Sequence, residues 1–574
     1  MKKPHLVPLT TPFEASAKYS WSEYPRPQLV RDSYLPLDGM WELSVKRGGV
    51  ETPLGGIKMP YVPESRLSGI ERTLKKGEKW VYRRRFILSE GFNTGRVLLH
   101  FGAVDQIARV TVNGYSFPRH IGGYLPFSYD ITDNISHGEN LLTVEVTDEL
   151  DTDIPYGKQR KKRGGMWYTP VSGIWQPVWL ESVPHEHIKA LRLTPTLESI
   201  TVGVIGGAEH KRIEIETPSG TLCREFDGEA CEIVIDSPRL WSPEDPYLYH
   251  FTLYCGEDKV RSYFALRTLG IGAVGGRQRL LLNGKPYFFH GLLDQGYFSD
   301  GIYLPAAPDG YLWDIQAMKS LGFNMLRKHI KVEPELFYYY CDKYGMVVFQ
   351  DMVNSGKYSF LIDTALPTVG PRRGIAHRAS KRRRELFERH CADTTEHLYN
   401  HPCVGYYTIF NEGWGQYDAD RLYRELKALD GSRIWDPTSG WFNEKESDVQ
   451  SEHIYFKKVD FKLGERPVVL SEFGGYSCRV DGHVYNLDRS YGYKTMADPS
   501  ELSAALERLY MDEVVPLMRR GLCAAVLTQV SDVEDEINGL VTYDRQVVKA
   551  DAVVMRRIRN AIDEAECAIC RGDL

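Results

Sequence analysis

Two glutamates, each at the end of an apolar segment, have the surroundings needed for acid–base and nucleophilic chemistry. Asn411 and Glu412 follow the run Val404–Phe410, and Glu472 follows residues 468–471, with glycines close behind in both cases. Such runs are typical of strands that are buried on both faces of a parallel sheet. Two carboxyl groups at the mouth of one α/β barrel could protonate a leaving oxygen and attack a sugar, as glycoside hydrolysis requires.

A structural role is the alternative for each glutamate taken alone, because a carboxylate can cap a strand and pair with an arginine. The two together, at matching strand ends and with an amide directly before Glu412, favour catalysis. We therefore predict that Glu412 and Glu472 face each other across a barrel mouth.

The second half of the sequence alternates strand and helix patterns in the way that a parallel barrel requires. Candidate strands lie at residues 287–291, 323–327, 346–349, 404–410, 432–435, 452–455, 468–471 and 524–528. Helical periods lie at residues 311–321, 334–344, 382–399, 419–429 and 501–518. Eight strand–helix units predict a (β/α)8 TIM barrel over residues 273–574, with the fifth and sixth helices poorly marked.

The first half of the sequence is all-β. Over residues 1–185, short alternating segments are separated by turn signals such as Asn113-Gly114, and no long helical period occurs. This pattern predicts a jelly-roll-like β-sandwich. Residues 186–272 contain a second block of short strands and predict an immunoglobulin-like β-sandwich. The predicted fold class is therefore multidomain, β plus α/β.

Charge and hydropathy exclude several classes of partner. The net charge is −6 and the pI is near 6.3, which gives no electrostatic footprint for nucleic acid or for a membrane surface. No apolar run is long enough to cross a bilayer, and the N-terminal segment has no secretory apolar region. We therefore expect a cytoplasmic protein with no nucleic-acid and no membrane partner.

The cysteines and glycines give no sign of a cofactor. The ten cysteines follow no disulfide or zinc spacing. Cys567 and Cys570 have CxxC spacing, but they stand alone in a C-terminal tail that we expect to lie beyond the fold. No nucleotide-binding glycine loop and no spaced cluster of metal ligands occurs, so we predict no cofactor and no metal.

Two basic segments could have either a substrate-binding or a structural role. The insertion at residues 352–381 carries Pro371-Arg372-Arg373 and runs into the basic residues 381–384 after the third predicted strand. Residues 158–163 are similarly basic. Either segment could recognise an anionic sugar, but a solvated face or the start of a helix is the more frequent role of such a run.

Motifs along nearly the whole chain resemble those of one enzyme family. They include Tyr24-Pro25-Arg26-Pro27, Asp38-Gly39-Met40-Trp41, Pro63-Glu64-Ser65, Ser172-Gly173-Ile174-Trp175-Gln176, Leu240-Trp241-Ser242-Pro243-Glu244 and Leu282-Asn283-Gly284-Lys285-Pro286. The most specific are Asn411-Glu412 and the strand that ends at Glu472. With its three predicted domains, the sequence is similar to glycoside hydrolase family 2, the β-galactosidase and β-glucuronidase family.

This resemblance implies a retaining mechanism with Glu412 as acid/base and Glu472 as nucleophile. It implies that Asn411 binds the 2-hydroxyl of the sugar and that Arg327 keeps the nucleophile ionised. Tyr455 matches the tyrosine that orients the nucleophile, although a core tyrosine with a satisfied hydroxyl is its structural alternative. The resemblance leaves open a magnesium ion near the acid/base, as some members bind.

The sequence departs from the family pattern at positions that would contact the sugar. Gln295 stands where better-known members have a histidine, and His329 falls one place early. Gln529 follows the eighth strand, where those members have a tryptophan. We include Asp294 and Trp414, which adjoin these motifs, among the candidates for substrate binding.

The substrate is the least determined feature. The Asn-Xaa-Lys signature of glucuronidases is expected after the nucleophile, but Asn443-Glu444-Lys445 comes before it. A β-galactosidase-like exo-enzyme acting on a carbohydrate or glycoside is therefore the first prediction. Lys328 and Lys331 favour a uronic acid instead, and the changed polar positions leave a furanoside or arabinoside open. A glycan-binding protein without turnover and a homo-oligomeric state are further possibilities.

Overall fold

Two antiparallel sandwiches precede an eight-stranded parallel barrel in the computed structural model, which describes residues 4–18, 21–365 and 379–572. The predicted fold class is confirmed. The domain boundaries near residues 185 and 272 stay predictions.

The first sandwich packs the apolar faces of two sheets together. Neighbouring strands of one sheet are Tyr34–Pro36, Val178–Val183, Arg96–Phe101 and Phe127–Asp130. Those of the other are Val50–Met59, Gly39–Arg47, Glu78–Ile87, Glu139–Thr147, Ile107–Val112 and Tyr115–Ser116, with His120–Ile121 beside Ile107–Val112. Asn113 and Gly114 have φ angles of 49° and 87°, so the predicted turn forms a tight hairpin.

The second sandwich is smaller and entirely antiparallel. Its sheets contain strands Ile188–Pro195, Ser199–Gly206 and Ala230–Val234, and strands Gly220–Asp227, His210–Thr217, Tyr249–Cys255 and Asp258–Phe264. Alternate residues of these strands point inward and form a separate apolar core. Three further strands lead into the barrel: Leu269–Val274, Arg277–Leu282 and Lys285–Pro286.

The barrel strands are buried almost throughout, which explains their continuous apolar runs. They are β1 Phe289–Asp294, β2 Met325–Lys328, β3 Val347–Asp351, β4 Val404–Phe410, β5 Ile434–Thr438, β6 Gln450–Ile454, β7 Val468–Gly474 and β8 Leu522–Thr528. The strands pair in parallel in the order β5-β4-β3-β2-β1-β8-β7-β6, which makes a nearly closed barrel.

Helices cover the outside of the barrel. They are α1 Asp309–Ser320, α2 Glu335–Tyr344, α3 Lys381–Leu398, α4 Ala419–Leu429, α5 Pro499–Leu509, α6 Val515–Arg520 and α7 Ala552–Arg571. Residues 439–449 and 455–467, all of them described, contain no helix, so the crossovers after β5 and β6 are irregular. The poorly marked fifth and sixth helices of the sequence do not form.

The C-terminal segment is part of the fold, which corrects the expectation of a tail. Asp551 is the N-cap of helix α7, and its side chain accepts the backbone N–H groups of Val553 and Val554. Its apolar side packs into the barrel core. Cys567 and Cys570 lie exposed on this helix, and none of the ten cysteines, all of them described, is in a disulfide.

The basic residues 381–384 are the first turn of α3. Ser380 caps this helix by accepting the backbone N–H of Arg383 at 3.0 Å. Arg382 and Arg384 form ion pairs with Asp151 and Asp418. These residues therefore start a helix, and Pro371-Arg372-Arg373 lies outside the described residues. No helix within the described ranges is long and apolar enough to span a membrane.

Candidate active site

Glu412 lies at the mouth of the barrel, in the turn that follows β4. Asn411–Gly413 is a single 3₁₀ turn in which Glu412 has φ 51° and ψ 27°. This left-handed conformation is unfavourable for a residue with a Cβ, and such outliers concentrate at functional sites. The Ser439 hydroxyl, just beyond β5, accepts the Glu412 backbone N–H at 3.2 Å and holds the turn.

Glu472 lies inside β7 and is tightly held. Arg327 Nη1 donates to Glu472 Oε1 at 3.1 Å, and the Tyr455 hydroxyl donates to Oε2 at 2.6 Å. Burial acts to raise the pKa of Glu472, but the electrostatic influence of His453, Arg327 and His329 and the Tyr455 hydrogen bond outweigh it and lower the pKa to about 2. Glu472 is therefore an ionised carboxylate near neutral pH.

His453 links the two glutamates and was not predicted as a site residue. Its buried Nδ1 lies 3.0 Å from Glu412 Oε1 and 3.5 Å from Glu472 Oε2. One oxygen of each carboxylate and this nitrogen lie within 4.8 Å of one another. A signal was available, because His453 is two residues before Tyr455, and residues i and i+2 of a strand share a face.

The same three side chains have the types needed to hold a metal ion, as no other group in the described part of the chain does. His453 Nε2, however, faces Arg327 Nη1 at 3.4 Å, and a guanidinium can only donate. Nε2 must then accept, which places the imidazole proton on Nδ1, between the carboxylates. A metal-binding histidine gives its second N–H to an acceptor instead. The arrangement therefore fits a shared proton better than a metal ion.

Arg327, in β2, connects the strands that carry the site. Its Nε donates to Asp351 Oδ1 at 2.9 Å, and its Nη2 donates to Asn411 Oδ1 at 2.9 Å. The Ser439 hydroxyl donates to the same Asn411 oxygen at 3.0 Å. Because the carbonyl oxygen of Asn411 is held twice, its amide N–H groups are the ones left to donate to a substrate hydroxyl.

His329 and Asp294 are buried in the barrel wall and held by charged neighbours. His329 Nδ1 lies 2.8 Å from Asp351 Oδ2. Asp294 Oδ2 accepts a hydrogen bond from Lys328 Nζ at 2.6 Å. In the described part of the chain, neither side chain lines the cavity that opens in front of Glu412. Both therefore support the polar groups around them.

Lys328 and Lys331 converge on one buried carboxylate. Each Nζ lies 2.9 Å from Glu333 Oε1, and Lys331 also donates to the backbone oxygens of Gly296 and Tyr303. Both lysines are fully or almost fully buried. Their charges are therefore compensated inside the protein, as buried charges must be.

A chain of amides joins the ends of β1 and β8. Gln295 Nε2 donates to Gln529 Oε1 at 2.9 Å, and Gln529 Nε2 donates to Asn538 Oδ1 at 2.9 Å. Asn538 in turn donates to Glu536 Oε1 at 3.0 Å. The buried Gln295 Oε1 has no hydrogen-bond partner among the described residues. A buried carbonyl oxygen without a donor is unfavourable, and Gln295, like His329 and Asp294, does not line the cavity in front of Glu412.

Trp414 lies two residues after Glu412 and is buried. Its indole N–H donates to the backbone oxygen of Gly356 at 2.9 Å, and its ring packs edge-on against Tyr156 and Trp167. Only 2% of its surface is exposed. Trp414 therefore packs beneath the surface of the site and supports the residues that line it.

A cavity of about 600 Å³ opens in front of Glu412. Most of the side chains that line it are aromatic or apolar, among them Tyr358, Phe360, Trp441, Tyr455, Phe456 and Tyr493. The Tyr493 ring stacks on Tyr455 with centroids 3.8 Å apart. Apart from Tyr455, these residues were not predicted as site residues, because they lie in segments between the barrel strands that carry no periodic signal.

A parallel barrel with paired glutamates at its mouth, preceded by two antiparallel sandwiches, defines the class of multidomain barrel glycoside hydrolases. Family models match residues 56–176 (glycosyl hydrolase 2 galactose-binding domain-like), 191–267 (glycosyl hydrolases family 2) and 274–469 (glycosyl hydrolases family 2, TIM barrel domain). Together they match well over half of the sequence. The chain belongs to glycoside hydrolase family 2.

Similar proteins carry different names. A β-galactosidase of Thermoanaerobacter pseudethanolicus is 26% identical over 471 residues, which are 73% of this chain and 58% of the relative. A solved β-glucuronidase from an uncultured Clostridium sp. has a TM-score of 0.72 at 19% identity and covers 93% of this chain and 99% of its own. A solved β-galacturonidase from Eisenbergiella tayi has a TM-score of 0.67 at 18% identity, with coverages of 94% and 97%. This chain spans about half the length of the curated relatives it matches.

Proposed function

We propose that this chain is a retaining glycoside hydrolase that removes a terminal sugar by double displacement. The observation that carries the proposal is the closeness of Glu412 and Glu472, one oxygen of each lying within 4.8 Å of the other. Carboxyl groups are about 5–5.5 Å apart in retaining enzymes and about 6.5–9.5 Å apart in inverting ones, where a water must fit between them. The spacing supports direct attack by one carboxylate.

Glu472 acts as the nucleophile and Glu412 as the acid/base. Glu472 attacks the anomeric carbon while Glu412 gives its proton to the leaving oxygen, so one C–O bond forms as the other breaks. Glu412 then takes a proton from water, which attacks the same carbon and releases Glu472. The low pKa of Glu472 and the position of Glu412 beside the open cavity support this division.

Contacts between the first sandwich and the loop that follows β8 close one end of the site and support exo-action. Residues 158–169 of the first sandwich reach the loop that follows β8. Arg163 Nη1 lies 3.2 Å from Glu534, and the Thr169 backbone N–H donates to Glu534 at 3.0 Å. The Tyr168 hydroxyl donates to Glu536 beside the amide chain. A polysaccharide would have to pass through these contacts, so a terminal sugar fits better.

A neutral, galacto-configured sugar is the preferred glycone. The unpartnered Gln295 Oε1 suits a hydroxyl donor and would repel a carboxylate. Lys328 and Lys331, the lysines that favoured a uronic acid in the sequence, already pair with Asp294 and Glu333. The β-galactosidase named among the relatives is consistent with this choice.

A β-uronide is the second candidate, favoured by one cation from the first sandwich. Lys158 Nζ lies 5.5 Å above the Trp167 ring. Its positive charge acts to lower the pKa values of both Glu536 and His329. A cation at this closed end could pair with the carboxylate of a glucuronide or galacturonide. The solved relatives named for those activities support the same candidate.

Steady-state kinetics with 4-nitrophenyl glycosides test both candidates. We expect kcat/KM for the β-galactoside to exceed that for the β-glucuronide and β-galacturonide by at least about tenfold, with Glu472→Gln as the inactive control. A uronide preferred by tenfold, with the preference lost in Lys158→Met and kept in Lys162→Met, would replace the neutral glycone. A furanoside preferred over every pyranoside would replace both candidates. No turnover of any substrate would leave a glycan-binding protein.

A further inference from the structure

The cavity of about 600 Å³ lies on the leaving-group side of the site. Glu412 contributes to its lining, whereas the Glu472 carboxylate is covered by Tyr455 and Arg327. The acid/base protonates the oxygen that joins the sugar to its leaving group. The space directly beside Glu412 therefore receives the leaving group.

The two most exposed aromatic side chains that line this cavity are phenylalanines, which have no hydrogen-bonding group. Phe456 is 82% exposed and Phe360 is 66% exposed. Large apolar surfaces grouped at a concave site indicate a binding partner that covers them. Phe456 and Tyr493 meet at 68° with centroids 5.4 Å apart. The two rings form a corner in which a flat ring can stack on one and meet the other edge-on.

Trp441 adds one polar requirement. Its indole N–H is buried and has no partner among the described residues. The ring is held in place against His453, at a centroid distance of 5.7 Å. An indole N–H can only donate, so a ligand that satisfies it must bring an acceptor atom.

We propose that this cavity is the subsite for an aromatic aglycone, a flat apolar ring system that carries an oxygen acceptor, as in a phenolic glycoside. The proposal rests on the glycosidase function proposed above. A second sugar is the alternative leaving group, but it presents hydroxyls around its edge. Lys457 and the tyrosine hydroxyls of the lining could pair with some of those hydroxyls, but the exposed faces of Phe456 and Phe360 could pair with none, and burying hydroxyls unpaired is unfavourable.

The first test compares 2-naphthyl with phenyl glycosides of the best glycone, because the two leaving groups have similar acidity and differ by one ring. In the wild type we expect kcat/KM to be about tenfold higher for the naphthyl glycoside, because the extra ring is buried. Phe456→Ala should reduce this ratio to about two. Tyr115→Ala removes an aromatic residue that is 55% exposed on the first sandwich and should leave the ratio unchanged. A wild-type ratio near one, or a ratio that survives Phe456→Ala, would overturn the proposal.

The second test depends on neither catalysis nor the glycone. Free 2-naphthol and glucose are titrated into the wild type and Phe456→Ala by calorimetry. We expect 2-naphthol to bind the wild type at least about tenfold more tightly than the variant, and more tightly than glucose. If this holds but no glycoside is hydrolysed, the glycosidase function fails and the subsite stands. If glycosides are hydrolysed but glucose binds more tightly than 2-naphthol, the subsite alone fails.

Discussion

The two carboxylates of the site are held in opposite ways. Glu472 lies inside a strand, receives hydrogen bonds from Arg327 and Tyr455, and has a side chain that is 6% exposed. Glu412 lies in a left-handed turn, contacts His453, and has a side chain that is 16% exposed. The fixed polar surroundings suit a group that must stay ionised. The more open position suits a group that must exchange a proton.

The largest effect should come from removing each carboxylate in turn. Glu472→Ala should lower kcat on the order of 10⁴-fold or more, because the nucleophile is lost. Glu412→Ala should lower it by about 10²–10⁴-fold, because proton transfer is lost. Azide should rescue both variants, with NMR giving the configuration of the glycosyl azide. Glu472→Ala should invert the configuration of the substrate and Glu412→Ala should keep it. The same product from both variants would mean that the roles are wrongly assigned.

Arg327→Met should raise the pKa of Glu472 and lower the activity of the enzyme. The variant loses a positive charge that helps to keep the pKa of Glu472 near 2, so that pKa should rise towards its ordinary value of about 4.5. Since Glu472 must be ionised to attack, the acid limb of kcat/KM should move to higher pH. The pH-independent value should fall by about 10²–10³-fold. Arg382→Met, on an exposed part of α3, is the control. An acid limb that stays in place would contradict this role of Arg327.

His453 tests the connection between the two sides. An asparagine at this position can bring an N–H near the place of Nδ1, whereas a leucine cannot. His453→Leu should lower kcat/KM by about 10–100-fold and move the acid limb upward, because the two close carboxylates lose their shared donor, which helps to lower the pKa of Glu472. His453→Asn should keep kcat/KM within a fewfold of the wild type. Equal losses in both variants would leave His453 a packing role only.

The smallest effect is on the free energy of unfolding, and it comes from the helix that precedes the strand leading to Glu412. His390 lies on α3, the helix before β4, and burial lowers its pKa to about 4. It is neutral in the folded state, so below pH 6.5 the unfolded chain takes up the proton first and stability is lost as pH falls. Between pH 7 and pH 5, His390 should cost the wild type about 2 kcal/mol of its free energy of unfolding. His390→Leu lacks the titrating group and should not show this loss. Chemical denaturation at both pH values measures this difference. The exposed His137→Leu is the control, and the same pH dependence in both variants would contradict the assignment.

The barrel was predictable from sequence because its strands are buried on both faces. All eight strands form at or next to the predicted positions, most of them at apolar runs, and Ala419–Leu429 forms with the predicted bounds. The last helix was missed although Ile558, Ile562 and Ala565 recur at helical spacing on its buried side. The fifth and sixth helices, which the sequence marked poorly, are absent from the crossovers at residues 439–449 and 455–467.

The site was only partly predictable because charge pairing is a property of the folded chain. Glu412, Glu472 and Tyr455 follow from motifs, and the structure brings them together. Whether Lys328 and Lys331 are free or paired could not be seen before Glu333 was placed beside both. The domain boundaries, the cytoplasmic location and a homo-oligomeric state stay predictions.

The most direct measurement is to trap the covalent intermediate. A 2-deoxy-2-fluoro aryl glycoside of the best glycone slows release of the sugar from the enzyme, and digestion with mass spectrometry then locates the label. We predict one added glycosyl group per chain, on the peptide that contains Glu472, and no label in Glu472→Gln. A label on another residue, or no label together with a product of inverted configuration, would contradict the central claim.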